Sequence, residues 1–176
     1  MPLPIGRLRT GQRNLSPSIL LLLAEAEVKI GLKKRWLIAC HRGRGTRIGG
    51  LNLEGEPVSL EALNGQLVYV DFWYIGCGPC MSALPHLAGM QEEFGPEGFT
   101  VMGVNHHQKA QTVKRYLDRR ELDVPQMMLD SLPAEYPVVA YPTWCLVGRD
   151  GRIIDRNIGY SEDTGAFLDS LVSANL

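Results

Sequence analysis

Two cysteines three positions apart, Cys77 and Cys80, are the residues of this sequence best placed to do chemistry. That chemistry is thiol–disulfide exchange. Its reagent is the thiolate, which a cysteine with the ordinary pKa of about 8.5 supplies only in small part at neutral pH. A helix starting at the first cysteine changes this, because its unpaired N–H groups and positive dipole end favour an anion. In such places a thiol pKa falls to roughly 3.5–7.5. Gly78 lets the backbone turn tightly, and Pro79 is preset for a first helical turn. Cys80, one turn further in, is in reach of a mixed disulfide on Cys77. The same pair could hold half of a zinc site, but structural zinc needs a second close ligand pair, and Cys40-His41 is a poor one.

The elements around the pair must present it. Leu67 to Trp73 is a nearly continuous apolar run and predicts a buried parallel strand. A helix is expected from the cysteines to about Phe94. Before them, Leu51 to Val58 reads as a strand, a turn and a return, and Ser59 can cap a brief helical turn ending at Asn64-Gly65. After them, Phe99 to Val104 is a second buried strand, and Thr112 to Arg120 a helix with Val113, Tyr116 and Leu117 on one face. Gln126 to Leu129 and Thr143 to Val147 are further strands. Arg149-Asp150-Gly151 turns the latter into Arg152 to Asp155. Ser161 opens a last helix with Phe167, Leu168 and Leu171 at helical spacing. This alternation implies a mixed sheet with helices on both faces.

The 176 residues, 45% of them hydrophobic, suffice for one core. Charge divides unevenly. Residues 1–50 carry ten Lys or Arg against two acids, and the remainder eight against seventeen. We read residues 1–45 as a basic, partly helical extension and 46–176 as the folded domain. The extension starts loosely, Ser16-Pro17 opens a helix from about Ile19, and His41 to Gly45 is a linker. Such a segment can meet an anionic membrane surface, an acidic partner or the acidic body itself; nucleic acid is not the expected partner. The longest apolar run there, Ile19 to Ala24, is far below the ~20 residues that span a bilayer. Arg7, Arg9 and Arg13 with Ala24-Glu25-Ala26 match a secretory leader only in part.

Taken together, Val70-Asp71-Phe72-Trp73, Cys77-Gly78-Pro79-Cys80, Pro85 and Tyr141-Pro142-Thr143 resemble, in order and spacing, the active-site segments of the thioredoxin superfamily. The resemblance covers residues 46–176. Within it, the opening hairpin around Asn52, the stretch from Gly103-Val104-Asn105 to Pro125, and Gly148 to Arg152 look most like the TlpA-like branch, which overlaps the redoxins and thiol peroxidases. The resemblance implies a three-layer α/β sandwich with a mixed central sheet flanked by helices. It implies a thiol–disulfide oxidoreductase with no cofactor beyond its own dithiol. Cys77 would attack, Cys80 would resolve, and buried Asp71 would take the Cys80 proton. Pro142, in the cis form, would present the Tyr141 backbone to an extended substrate. Trp73, Gly76, Gly78, Pro79, Tyr141, Pro142 and Thr143 would form the substrate-facing set. The family usually has Trp where this chain has Gly76, which removes an aromatic lid.

The partners implied are protein thiols and disulfides and an upstream redox partner, and the dipeptide between the cysteines hints at the reducing direction. The resemblance points outside the cytoplasm, while the incomplete leader leaves the cytoplasm open. A peroxidase of the peroxiredoxin kind is the main alternative, but it needs an attacking Cys preceded by a Thr in a Pro-rich loop, and no such Thr precedes Cys77. A Cys/His metal site and a redox-inactive interaction module are the others. Cys145 is expected to be inert core, Cys40 exposed, and His106-His107 a solvated pair without a metal.

Overall fold

The computed structural model describes residues 48–132 and 138–176. The basic extension, Cys40 and the boundary near residue 45 lie outside the described residues.

A seven-stranded mixed sheet in the order β2-β1-β5-β4-β3-β6-β7 organises the chain. β1 (Gly49–Leu51) and β2 (Pro57–Ser59) form an antiparallel hairpin. Its turn is closed by Asn52, whose Oδ1 accepts the N–H groups of Glu54 and Glu56, the local bonding that makes Asn a turn residue. Ser59 caps the following 3-10 turn, Leu60–Leu63, by accepting the N–H of Ala62. β3 (Leu67–Phe72) is buried along its whole length at the sheet centre. It runs parallel to β4 (Phe99–Asn105) and antiparallel to β6 (Thr143–Val147). β5 (Gln126–Met128) extends the parallel side, and β7 (Ile153–Ile158) closes the other edge.

Alternate residues of β3 feed two cores, as the period of a strand requires. Leu67 and Tyr69 meet Ala83, Leu87 and Met90 of α1 (Gly78–Phe94) and Leu168 and Val172 of α3 (Glu162–Ser173). Val68, Val70 and Phe72 face the other way, toward Ile48, Leu60, Met102 and Val147, with Leu63, Leu129 and Val138 packed around them. A third cluster joins Trp73, Cys77, Cys80 and Leu84 to Val113 and Leu117 of α2 (Ala110–Asp118). Of the face expected for the last helix, Leu168 is buried and Leu171 packs against the core, and only Phe167 departs. Leu168 and Val172 are buried, whereas Phe167 is 48% exposed. Among the described residues, no helix is long and apolar enough to cross a membrane.

Candidate active site

β3 ends at Phe72, and Trp73-Tyr74-Ile75-Gly76 carries the chain to Cys77, the N-cap of α1. The Cys77 sulfur accepts the N–H of Cys80 at 3.3 Å. The two cysteines form a disulfide with their Cα atoms 5.3 Å apart. Cys77 is 6% exposed and Cys80 is 0% exposed, so Cys77 carries the sulfur a partner can reach. Pro79 occupies the first helical turn, and Pro85 lies inside the helix. On reduction, the N–H that meets the Cys77 sulfur would bond a thiolate, and hydrogen bonding to the charged form favours it.

The approach loop is gripped from the end of β4. Gln108 accepts the N–H of Ile75 at 3.1 Å and donates its amide to the carbonyl of Ile75 at 3.3 Å. Asn105, fully buried, donates to Gln108 and accepts the N–H groups of His107 and Gln108. Neither residue stood out in the sequence, although an Asn directly after a buried strand is a turn signal.

The rim differs from expectation in two ways. Gly76 has φ +111, a region closed to most side chains, so this backbone could not carry the family's Trp without strain. Aromatic cover comes instead from Tyr74, whose ring meets that of Tyr141 edge-on at 5.1 Å and that of His107 at 4.6 Å. His106-His107 is therefore part of the rim. The His107 ring bonds the Tyr141 hydroxyl at 3.2 Å, and the two imidazoles lie 4.1 Å apart. Burial, then His107, push the His106 imidazole below its ordinary pKa. Among the described residues, no group of three or more His, Cys, Asp or Glu is placed to hold a metal ion.

The Tyr141–Pro142 bond is cis. Gly76, Gly78 and Pro79 are exposed and Tyr141 is half-buried, as a contact surface requires. Trp73 and Thr143 are 0% and 1% exposed and Pro142 is likewise buried, so none of the three offers a side chain to a substrate. The Thr143 hydroxyl is spent on the carbonyl of Ala140 at 2.7 Å. The Trp73 indole packs against the cysteines from within and donates to Gln126 at 3.0 Å.

Below lies Asp71. It is 1% exposed, and neither carboxylate oxygen has a hydrogen-bond partner among the described residues. Burial alone pushes its carboxyl up to about 7, because desolvation disfavours the charged form. A carboxyl that titrates near neutrality can take and return a proton under working conditions. A strand-end carboxylate kept merely for structure would be satisfied by hydrogen bonds, and Asp71 is not, among the described residues. Cys145 on β6 is buried, as expected of core.

The Redoxin family model matches residues 46–171. The thiol-disulfide oxidoreductase ResA of Halalkalibacterium halodurans is 31% identical over 110 residues, which is 61% of this chain and 62% of that protein. The thioredoxin-like protein YneN of Bacillus subtilis is 30% identical over 112 residues, 61% of this chain and 65% of that one. The chain thus spans less than two thirds of the length of these relatives. Among solved structures, the thioredoxin domain of a thiol-disulfide oxidoreductase from Bacteroides vulgatus superposes with TM-score 0.63 at 28% identity, covering 71% of this chain and 92% of that one. A thioredoxin family thiol:disulfide interchange protein from Chlorobium tepidum shares the fold, with TM-score 0.65 at 24% identity over 73% of this chain and 92% of that one. The sheet, the cis-proline and the matched span agree: this chain belongs to the Redoxin family and has a thioredoxin-like fold.

Proposed function

We propose that this protein is a thiol–disulfide oxidoreductase that reduces disulfides in protein substrates through Cys77 and Cys80. The observation that carries the proposal is the Cys77–Cys80 disulfide at the start of α1, with Cys77 6% exposed, Cys80 fully buried and Asp71 buried on the adjoining strand. The Cys77 thiolate attacks one sulfur of the substrate disulfide. A mixed disulfide forms and the first substrate thiolate leaves. Asp71 takes the proton of Cys80, the Cys80 thiolate attacks the Cys77 sulfur, and the second substrate thiolate leaves. Two electrons pass to the substrate, and the enzyme ends as its disulfide. A dithiol partner upstream must reduce it again, and no cofactor beyond the dithiol is required. The cis-proline loop offers the Tyr141 backbone to an extended segment. Resemblance to the TlpA-like branch supports an extracytoplasmic setting, where protein disulfides persist.

Equilibrium titration against glutathione or dithiothreitol tests this. The expected outcome is a reversible two-electron transition, lost in Cys77→Ser and in Cys80→Ser, with insulin reduction lost in both. A transition that survives either substitution would remove the dithiol from the reading. A midpoint well above the glutathione poise would reverse the direction.

A further inference from the structure

Asp71 stands in a row of side chains that crosses four strands. Its register neighbour on β6 is Trp144, its neighbour on β4 is Gly103, and the neighbour of Gly103 on β5 is Gln126. Directly paired residues point to the same face of a sheet, so the four share the face that carries Trp73, two residues beyond Asp71. The glycine is what lets the row close up. A Cβ at position 103 would lie 2.5 Å from Nε2 and 2.6 Å from Oε1 of Gln126. The Gln126 amide thus occupies the space above Gly103, one strand from Asp71, and Gln126 is itself 4% exposed.

Both ends of that amide are fixed by partners able to play one part only. The Trp73 indole N–H can only donate, and it meets Oε1 at 3.0 Å. The Val124 carbonyl can only accept, and it meets Nε2 at 2.9 Å. These partners settle which end of the amide is which: one N–H of Nε2 goes to Val124, and the other reaches neither oxygen of Asp71. A buried carboxyl next to a primary amide would ordinarily receive an N–H, yet both Asp71 oxygens lack a partner among the described residues.

We infer that Gln126 is a positioning residue for the Asp71 proton: Gly103 makes room for its amide, and Trp73 and Val124 hold that amide so that it gives Asp71 no hydrogen bond. A hydrogen bond to the ionised form would favour that form and make the carboxylate a weaker base. Withholding it keeps the proton exchangeable. This inference rests on the reading of Asp71 as the group that takes the Cys80 proton.

The test is the titration of Asp71, followed by carboxyl carbon resonance in the disulfide form, together with the pH profile of insulin reduction. On the shared face β3 also presents Tyr69, α1 begins with Cys77 and Cys80, and β4, β5 and β6 contribute Gly103, Gln126 and Trp144. Tyr69 is pushed well above the ordinary tyrosine range by burial and then by Asp71, and the cysteines do not titrate as a disulfide. The transition near neutrality is therefore that of Asp71. Trp73→Phe releases Oε1, lets the amide turn its N–H groups toward Asp71, and lowers the midpoint by about one pH unit or more. Adding Gln126→Met, which has no donor, restores the midpoint, and Gln126→Met alone leaves it in place. A simple packing role for Gln126 would give no such rescue. An unchanged midpoint in folded Trp73→Phe, or a lowered midpoint that Gln126→Met does not reverse, would overturn the inference. Should Trp73→Phe fail to fold, benzothienylalanine at position 73, which lacks only the indole N–H, decides: an unchanged midpoint refutes the withheld bond, and one lowered by a full unit and restored by Gln126→Met supports it. An Asp71→Asn variant whose pH profile matches the wild type would instead refute the role of Asp71 itself.

Discussion

The floor and the rim of the site are built from opposite materials. The floor is buried and dense: Trp73, Asp71 and Gln126 are 0%, 1% and 4% exposed, and the Trp73 indole and the Gln126 amide are paired to single-function partners while Asp71 has none among the described residues. The rim carries no charged side chain from Phe72 to Pro85 and presents Tyr74, Gly76, Pro79 and Tyr141, with Val139 67% exposed just before the cis-proline. In the floor, a change of one hydrogen bond alters a protonation equilibrium, because low dielectric magnifies it. On the rim the same change meets water and alters contact area. On the proposed function, the floor therefore sets the proton's equilibrium and the rim sets what docks.

The largest effect expected from breaking this contrast is at Asp71. Its folded-state carboxyl titrates near 7 against an ordinary 3.8. A raised acid contributes stability that is complete below the unfolded value and is lost as pH rises through the folded one. The interval corresponds to about 4 kcal/mol. Asp71→Asn should accordingly gain on the wild type progressively from pH 4 to pH 7 and hold that gain above, as read by urea unfolding of the disulfide form at several pH values. The same variant should slow insulin reduction by roughly 10²-fold or more, the scale of a lost general base. A stability difference that stays flat with pH would show that the floor is wetter than described.

Gly76 is next, and it sharpens the boundary between the two regions because it belongs to the rim while its backbone feeds the floor. Gly76→Ala places a Cβ on a residue at φ +111 and should cost about 1–3 kcal/mol from strain alone. The nearest atom a Cβ would meet is the Tyr74 ring at 3.7 Å, which is ordinary contact. Thermal unfolding of the two proteins measures the cost, and equal stability would mean that the loop relaxes out of this conformation.

The contrast also explains what could be read from the chain alone. The cysteines, Asp71, Pro79 and the apolar run of β3 lie within a short stretch, and helix-start chemistry and strand period make their placement legible. Pro142 was legible through its neighbours Tyr141 and Thr143. The way Gln126 completes the floor was not, because Trp73 and Gln126 stand 53 residues apart and meet only through the register of three strands. Nothing local in Gln126 distinguishes it from a polar residue at a strand start. The His106-His107 pair is part-exposed and exposed, as a solvated pair should be, but its ring contacts went unread for the same reason: their partners, Tyr74 and Tyr141, come from two other loops. In α3 the spacing placed Leu168 and Leu171 on the packed side, and Val172 rather than Phe167 completes it, where Gly165 lies against His86. β7 runs on to Ile158 past polar Asp155, Arg156 and Asn157 because an edge strand needs one good neighbour, which β6 provides.

The smallest effect separates the rim from the floor most cleanly. Tyr141→Ala removes the ring that Tyr74 meets edge-on and the hydroxyl that His107 bonds. Aromatic pairs are worth about 0.5–1.5 kcal/mol beyond their area, so docking of a protein disulfide should weaken by roughly 2–10-fold, seen as a rise in KM. The reaction with dithiothreitol, which is too small to need the rim, should keep its rate. The midpoint of the Cys77–Cys80 couple should stay within the error of the titration, since no atom of Tyr141 bonds either sulfur among the described hydrogen bonds. A shift in that midpoint would tie the rim to the thiols and dissolve the division of labour, whereas an unchanged KM would hand substrate contact to Gly76, Pro79 and the cis-proline backbone.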